Sequence, residues 1–307
     1  MKIKLLGLAA LAMIACLVNP ASAQEKPAAR KVLVKEKYEA GMVITESGVE
    51  TSQTTTTITA GGQSADKVEE DKEEKEKTTE VQSVGADGHI SGARVNHIKS
   101  KKSHAEQDFG AAEMGEAAVS TGDLEGVVIA WVFDAEKKAW TGKLEKGEEN
   151  AGTKKALAKK EPFKVPFIPG KEVSVGQSWD VAEADLRAFF ADDEAMKVSE
   201  IKATCTAEEI IAGKGGESLK VSFVIDIKAI LQNEGLKNPE VTAKVSGHYM
   251  FNIGTSLCDS VELNPELSFS GEAPGRGGEK IPFTVKMKGQ ETMTLSYKKA
   301  EKKEGGK

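Results

Sequence analysis

The stretch Gly-Val-Val-Ile-Ala-Trp-Val-Phe-Asp-Ala-Glu-Lys-Lys-Ala-Trp-Thr-Gly-Lys-Leu, residues 126–144, decides the expected fold. An apolar run ends at a polar turn, and a second strand-like segment follows, which is typical of a β-hairpin. Residues 247–263 repeat this arrangement near the other end of the chain. The repeat places aromatic and turn residues at equivalent positions: Tyr249, Phe251 and Asn252 correspond to Trp131, Phe133 and Asp134. We therefore expect two related β-rich halves.

Several later segments alternate strictly between apolar and polar residues. The clearest series of apolar positions is Leu219, Val221, Phe223, Ile225 and Ile227. The same odd-numbered pattern returns over residues 241–253, 281–287 and 293–297, which predicts strands with one apolar face in an antiparallel meander. A strand over residues 241–253 would be unusually long, so Gly247 is expected to mark a bend or bulge. The predicted fold class is mainly β: two antiparallel halves that form a curved sheet or half-barrel, with one short covering helix and charged loops.

The ends of the chain and a proline-rich segment set the predicted organisation. Residues 1–23 combine early lysines, an apolar run and Ala-Ser-Ala, which predicts a signal peptide and a periplasmic or secreted protein. The alternative is a lipid anchor on Cys16, although the apolar run continues past that cysteine and favours cleavage after Ala23. The expected segments are a disordered lead-in (24–30), a first half (31–160), a proline-containing connector (161–170), a second half (171–299) and a charged tail (300–307).

One helix is predicted over residues 180–191. Asp180 and Glu183 have the spacing of a capping box. Apolar residues then share one helical face: Ala182, Leu186, Phe189 and Phe190. Residues 64–77 are dense in Lys and Glu, which favours a solvated helix or a loop.

Composition argues against nucleic acid as a partner and against a membrane-spanning helix in the mature chain. The formal net charge is −6 and basic residues are not grouped, which argues against nucleic acid. After the signal peptide no apolar run approaches the roughly 20 residues of a membrane-spanning helix, so no transmembrane segment is expected in the mature chain.

The motifs of catalytic, metal and cofactor sites are missing from the sequence. The four histidines do not stand at i and i+4 on a predicted helix or beside a cysteine pair, and no nucleophile elbow or phosphate loop occurs. We therefore expect no enzyme, no metal and no cofactor. Cys205 and Cys258 either form a disulfide in an oxidising compartment or are buried free thiols.

Four aromatic residues of the repeated hairpins have two interpretations. Trp131, Phe133, Tyr249 and Phe251 either pack in the core, as apolar stripes in strands commonly do, or contact an apolar ligand.

Short phrases carry a resemblance to known proteins. Val-Ser-Val-Gly-Gln-Ser-Trp at residues 173–179, and the apolar runs that end in Asp134 and Asn252, are similar to exported bacterial β-sheet domains of unknown function. The predicted curved sheet with a small helical cover resembles, more loosely, the open half-barrels of periplasmic lipoprotein carriers of the LolA and LppX type. That resemblance implies a concave face for an apolar ligand.

The expected function follows from the number of one-faced strands, which exceeds the visible cover. We expect a non-enzymatic exported protein that binds a lipid, another apolar ligand or a cell-envelope protein on a concave sheet face. The alternative is a structural or assembly protein of the envelope with a closed core and no ligand.

Overall fold

The computed structural model describes residues 30–60, 62–163, 165, 167–190, 196–213, 215–231, 239–274 and 280–299. Several predicted features lie outside these residues: the signal peptide, the lipid-anchor alternative at Cys16, the lead-in up to residue 29 and the tail 300–307. The side chains of Phe189 and Phe190 also lie outside the described part.

Strands make up most of the described chain, and two short helices accompany them. In chain order the elements are β1 (Lys31–Val34), β2 (Met42–Ala60), β3 (Gln63–Val84), β4 (Ile90–Gln107), β5 (Ala118–Thr121), β6 (Val128–Asp134), β7 (Ala139–Lys146), α1 (Ala151–Leu157), β8 (Lys171–Ser174), β9 (Ser178–Asp180), α2 (Glu183–Phe190), β10 (Met196–Gly213), β11 (Gly216–Leu231), β12 (Glu240–Asn252), β13 (Leu257–Pro274) and β14 (Lys280–Lys299). The prediction of a mainly β fold is confirmed.

Twelve strands form one open, curved antiparallel sheet in the order β7-β6-β4-β3-β2-β14-β13-β12-β11-β10-β9, with β5 beside β4. The last strand, β14, pairs along its length with β2, from Phe283 opposite Ile58 to Lys299 opposite Met42. This pairing joins the two predicted halves side by side within a single sheet. Leu257 of β13 also shares a buried cluster with Val81 and Ala93 of the first half, so the two halves have core residues in common.

The two hairpins that are similar in sequence contain the same turn. Asp134 Oδ1 accepts hydrogen bonds from the backbone N–H groups two and three residues later, both at 3.0 Å. Asn252 Oδ1 does the same at 3.0 and 3.1 Å. The fourth residue after each, Lys138 and Ser256, has a left-handed φ of 51° and 57°. A short polar side chain that bonds its own backbone favours such a turn, so both runs end at the same kind of residue.

A two-stranded ribbon covers part of the apolar face of the sheet. β1 pairs with β8, placing Val32 opposite Val173. Both valines are buried in the same cluster as residues of β10 to β13. The first strand of the predicted first half therefore packs against the second half.

The proline-containing connector adds two aromatic side chains to this cover. Phe163 makes edge-on ring contacts with Trp131 and Trp140, at centroid distances of 6.5 and 5.1 Å. Phe167 is buried and stacks on Phe223 of β11 at 4.8 Å. The connector thus covers the face of the sheet, in addition to linking the two halves.

Gly247 is a point of close approach within a regular ladder. The register between β11, β12 and β13 is continuous through Gly247, and the irregularity lies between Met250 and Phe251. The bulge predicted at Gly247 is therefore wrong, and the bend stays a prediction. A Cβ at this position would lie 2.0 Å from the Glu262 carbonyl oxygen and 2.8 Å from the Phe223 ring, so the space admits glycine alone.

The Lys- and Glu-rich residues 64–77 belong to β3, which corrects the prediction of a helix or loop. Both neighbouring strands supply opposite charges: Lys75 Nζ lies 2.8 Å from Glu50 of β2, and Lys99 Nζ of β4 lies 2.6 Å from Glu74. Cross-strand charge pairs of this kind stabilise a sheet by a few tenths of a kcal/mol each, roughly. Ladder hydrogen bonds and these pairs replace the apolar face that the sequence lacks.

The predicted helix is shorter than expected, and Asp180 does not cap it. Asp180 ends β9, and its carboxylate accepts a hydrogen bond from the Thr204 hydroxyl at 2.9 Å. Arg187 of α2 donates to the carbonyl oxygens of Val198 and Ser199 on the outer edge of β10. The helix thus satisfies edge carbonyls, which blunts that edge against other strands. Neither helix in the described part of the chain has the length and hydrophobicity of a membrane span.

Candidate ligand-binding face

Residues that face one another across β10 to β14 form rows on the apolar side of the sheet. One row contains Ile201, Ile227, Ala243, Leu267 and Met287. The next row contains Val198, Ala229, Val241, Phe269 and Val285. Directly opposed residues in antiparallel strands point to the same face, so each row is a continuous apolar strip.

The cover reaches only part of these rows. Phe167 lies over the row of Phe223, and its stacked ring and backbone fill that region. Five residues of β13 and β14 further along the same face stay half-buried and belong to none of the three buried clusters. We call these five the apolar patch: Leu267, Phe269, Phe283, Val285 and Met287.

The apolar patch is pre-formed by its own packing. Leu267 is opposite Met287, and Phe269 is opposite Val285. The Phe269 and Phe283 rings contact edge to face at 6.0 Å and 85°. Gly271 makes room for the Phe283 ring, because a Cβ there would lie 2.8 Å from it. An apolar chain placed on this surface would therefore meet ordered side chains.

The same face becomes charged on the next strands. Met287 is opposite Thr54 of β2, and Thr54 is opposite Glu69 of β3. Lys67 Nζ lies 2.9 Å from carboxylate oxygens of both Glu69 and Glu106. Hydrogen bonds to these two carboxylates raise the pKa of Lys67, so it stays an ammonium. Two carboxylates sharing one ammonium leave this edge of the patch negatively charged.

Burial also changes a carboxyl group on β14 itself. Glu291 lies opposite Leu263 of β13 and Glu50 of β2. Desolvation raises the pKa of Glu291, and the charge of Glu50 raises it further. At the level of Glu291 and of the apolar patch, this face is therefore more polar on β2 and β3 than on β13.

One group of residues has the composition of a metal site. Ligand atoms of Glu69, His104 and Glu106 lie within 4.8 Å of one another. Lys67 Nζ already contacts both carboxylates, and a hydrogen bond to Asp71 raises the pKa of His104. A protonated lysine supplies the positive charge that a cation would bring, so this group is better described as an ion-pair network.

A shallow depression of about 500 Å³ crosses β10 to β14. Its charged lining residues are even-numbered and so point away from the apolar patch: Glu200, Asp226, Lys228, Lys244, Glu266, Lys286 and Lys288. Several of these charges pair with one another or with neighbours, as Lys228 does with Glu200 at 2.9 Å. Mixed, paired charges offer no selective binding to a single ligand class.

The structure separates the aromatic residues that the sequence grouped. Trp131 is buried in a cluster with residues of β4 and β6, whereas Tyr249 and Phe251 are buried in the cluster around β11 and β12. Phe133 is half-buried and contacts Trp140 at 5.4 Å. Trp131, Tyr249 and Phe251 lie in the core, and none of the four belongs to the apolar patch.

Cys205 and Cys258 are buried free thiols, which corrects the disulfide interpretation. They lie on β10 and β13, and three strand spacings of about 4.8 Å separate these strands by roughly 14 Å. The register adds an offset along the strands, because Ile210, and not Cys205, is the residue of β10 level with Cys258. A disulfide needs Cα atoms within about 7 Å of each other. Burial raises the pKa of both thiols to about 12, so both stay protonated at neutral pH.

The candidate face depends on residues that the sequence analysis passed over. Leu267 and Phe269 alternate with charged and hydroxyl residues around Pro265, and their period-two pattern was the available signal. Phe163 and Phe167 offered no such signal, because a connector has no periodicity. Their contacts with the sheet arise only in three dimensions.

Comparisons with known proteins give structural neighbours alone. No family model matches the chain, and no curated protein matches it. A structure titled "Lipid-protein interactions in lipovitellin" is similar over 88% of this chain and 27% of that chain, at 8% identity and a TM-score of 0.45. An outer membrane channel from Pseudomonas putida F1 covers 85% of this chain and 97% of its own, at 8% identity and a TM-score of 0.24. Neither likeness is close enough to transfer a function.

Proposed function

We propose that this chain is an exported, non-enzymatic protein that binds a single-chain amphiphile on one face of its sheet. The tail lies on the apolar patch, and the head lies towards β2 and β3. The observation that carries the proposal is that five neighbouring apolar side chains stay half-buried beyond the part of the face that the connector and the ribbon cover. The predicted signal peptide supports export.

The charge at the edge of the patch selects the head group. Glu69 and Glu106 share Lys67, and Asp71 pairs with His104. A cationic head is attracted to this surplus of carboxylate, whereas an anionic head is repelled. The occupant is therefore a lipid-like molecule with a basic or neutral head.

Burial of the patch sets an upper limit on the affinity. Completing the burial of five half-buried side chains contributes at most about 1 kcal/mol each, and each buried ligand methylene adds about 0.8 kcal/mol. With about six methylenes the gross gain is at most roughly 10 kcal/mol. An association cost of at least about 4 kcal/mol leaves at most roughly 6 kcal/mol, so we expect a Kd of tens of micromolar or weaker.

The alternative function is a structural or assembly protein of the cell envelope with a closed core and no ligand. The three buried clusters favour that function, because they show that much of the face is already covered within the protein. In that case the patch is either inert or covered by a protein partner.

The test is a titration with Nile red followed by displacement with dodecylamine, dodecanol or sodium dodecanoate. Leu267→Lys places a charge in the patch, and we expect it to weaken dodecylamine binding at least tenfold. Ser268→Lys is the matched control, because it adds the same charge to the opposite face of the same strand. We expect dodecylamine to displace the dye at the lowest concentration and dodecanoate at the highest.

Three results would contradict the proposal. Equal weakening by both lysine variants would place binding elsewhere, and absence of dye or amphiphile binding to the wild-type protein would favour the closed structural protein. A stable complex with a second copy or another protein that Leu267→Lys disrupts, without amphiphile binding, would assign the patch to a protein partner.

A further inference from the structure

A buried carboxyl group lies in the short link between β1 and β2. Glu36 is 5% exposed, and it continues the inward-facing series Val32, Val34, Glu36 and Tyr38. The alternation of inward and outward side chains continues past the end of β1, so the Glu36 side chain points into apolar surroundings. A buried charge of this kind is costly unless it is paired or protonated.

The titratable groups around Glu36 come from four elements. Tyr38 of the link hydrogen-bonds the Glu36 carboxyl group, and Tyr249 of β12, Cys258 of β13 and Tyr297 of β14 all interact with it electrostatically. Tyr38, Tyr249 and Tyr297 are the three tyrosines of the protein. Burial raises the pKa of each of these four groups, so each is uncharged at neutral pH.

Further charged groups lie close to this cluster. The negative charge of Asp259 raises the pKa of Cys258 and of Tyr297. Lys35 and Lys37 belong to the link itself, and Asp87 and His89 lie in the turn next to it. Among the described residues, no positively charged group contributes to the pKa shift of Glu36. The buried Glu36 carboxyl group is therefore neutral only while it is protonated.

The link connects the turns of two hairpins. The Lys37 N–H donates to the Ser256 carbonyl in the β12–β13 turn at 3.1 Å. The Tyr38 N–H donates to the Gly88 carbonyl in the β3–β4 turn at 3.0 Å. These turns belong to opposite halves of the sheet, so residues 35–39 bridge them on the covered face.

We propose that residues 35–39 form a pH-sensitive clasp that is closed while Glu36 is protonated and loosens when Glu36 loses its proton to solvent. An ionised Glu36 either remains buried at high cost or moves outward to reach water. Moving outward pulls on the two backbone hydrogen bonds beside it. The clasp follows β1, whose Val32 and Val34 are buried against the sheet, so loosening it would change access to the buried cluster beneath β1.

The direction of the pH effect follows from the pKa of Glu36, which burial raises from 4.5 to about 7. Between these values the closed link holds a proton that the open link has lost. The closed state is therefore fully favoured below about pH 4.5, weakens as the pH rises, and changes little above about pH 7. Opening should increase about tenfold between pH 6 and pH 8 for this one group.

Amide hydrogen exchange of the purified protein tests the clasp. After correction for intrinsic exchange, we expect the Lys37 and Tyr38 amides to lose about tenfold protection between pH 6 and pH 8. Glu36→Gln cannot ionise and should abolish this dependence. Glu172→Gln is the matched control, because it makes the same change at an exposed position of β8 and should leave the dependence intact.

A second variant keeps the test decisive if Glu36→Gln does not fold. The Tyr38 hydrogen bond lowers the pKa of Glu36, so Tyr38→Phe should move the midpoint of the exchange profile to higher pH. A flat wild-type profile, or an unchanged slope in Glu36→Gln, would overturn the clasp. Neither result bears on the apolar patch, because that face is tested by dye displacement at a single pH.

Discussion

Replacing Phe167 by alanine should destabilise the protein strongly, although this residue lies in a connector. The ring is 6% exposed and stacks on Phe223 with an interplanar angle of 6°. The Phe167 carbonyl accepts a hydrogen bond from the Tyr249 hydroxyl at 3.2 Å, so the backbone is held in place beside the ring. Removing a buried phenylalanine side chain typically costs about 3 to 5 kcal/mol.

Chemical and thermal unfolding measure this cost. For a protein of this size each kcal/mol lowers the Tm by roughly 2 to 3 °C, so we expect a decrease of roughly 6 to 15 °C. Phe109→Ala is the matched control, because Phe109 is 43% exposed and its removal should cost less than about 1 kcal/mol. Equal small losses in both variants would refute the reasoning that the connector covers the sheet.

Two further predictions concern the core of the same face. Gly247→Ala should lower the free energy of unfolding, measured in urea, by about 1 to 3 kcal/mol, because the new methyl group collides with the backbone. Gly213→Ala is the control and should lower it far less, because the nearest atom to a Cβ there is 3.7 Å away. Equal losses in the two variants would contradict close packing at Gly247. Cys205 and Cys258 should react slowly with Ellman's reagent in the folded protein and rapidly in denaturant, with the same Tm with and without reductant. A mass increase of two hydrogens on reduction would instead show a disulfide.

Much of the second half could be predicted from the sequence because its strands bury one face. Leu219, Val221 and Phe223 alternate with polar residues, and all three are buried on one side of β11. The hairpin turns were also predictable, since Asp134 and Asn252 make the same local hydrogen bonds that their side chains favour. Local chemistry determined these features.

The first half was harder to predict because charges, and not apolar residues, occupy both faces of β3 over residues 64–77. Helix, loop and strand all accommodate a Lys- and Glu-rich segment, and only the pairing with β2 and β4 decides among them. The pairing of β14 with β2 depends on contacts between residues more than 200 positions apart, as at Phe283 and Ile58. No local pattern contains that information.

The candidate face and the clasp differ in how far the sequence alone indicated them. Alternation alone placed Glu36 on the inward side with Val34 and Tyr38, so a glutamate at that position was an available warning. The apolar patch could not be located in advance, because its exposure depends on where Phe163 and Phe167 cross the sheet. Cover by an irregular segment is a property of the tertiary structure.

The most direct test of ligand binding is the ratio of dodecylamine affinities in Leu267→Lys and Ser268→Lys. The two lysines are adjacent in β13 and point to opposite faces, so both variants add the same charge to the same strand. We expect Ser268→Lys to bind as the wild-type protein does and Leu267→Lys to bind at least tenfold more weakly. Equal affinities in two folded variants would contradict a ligand on the apolar patch.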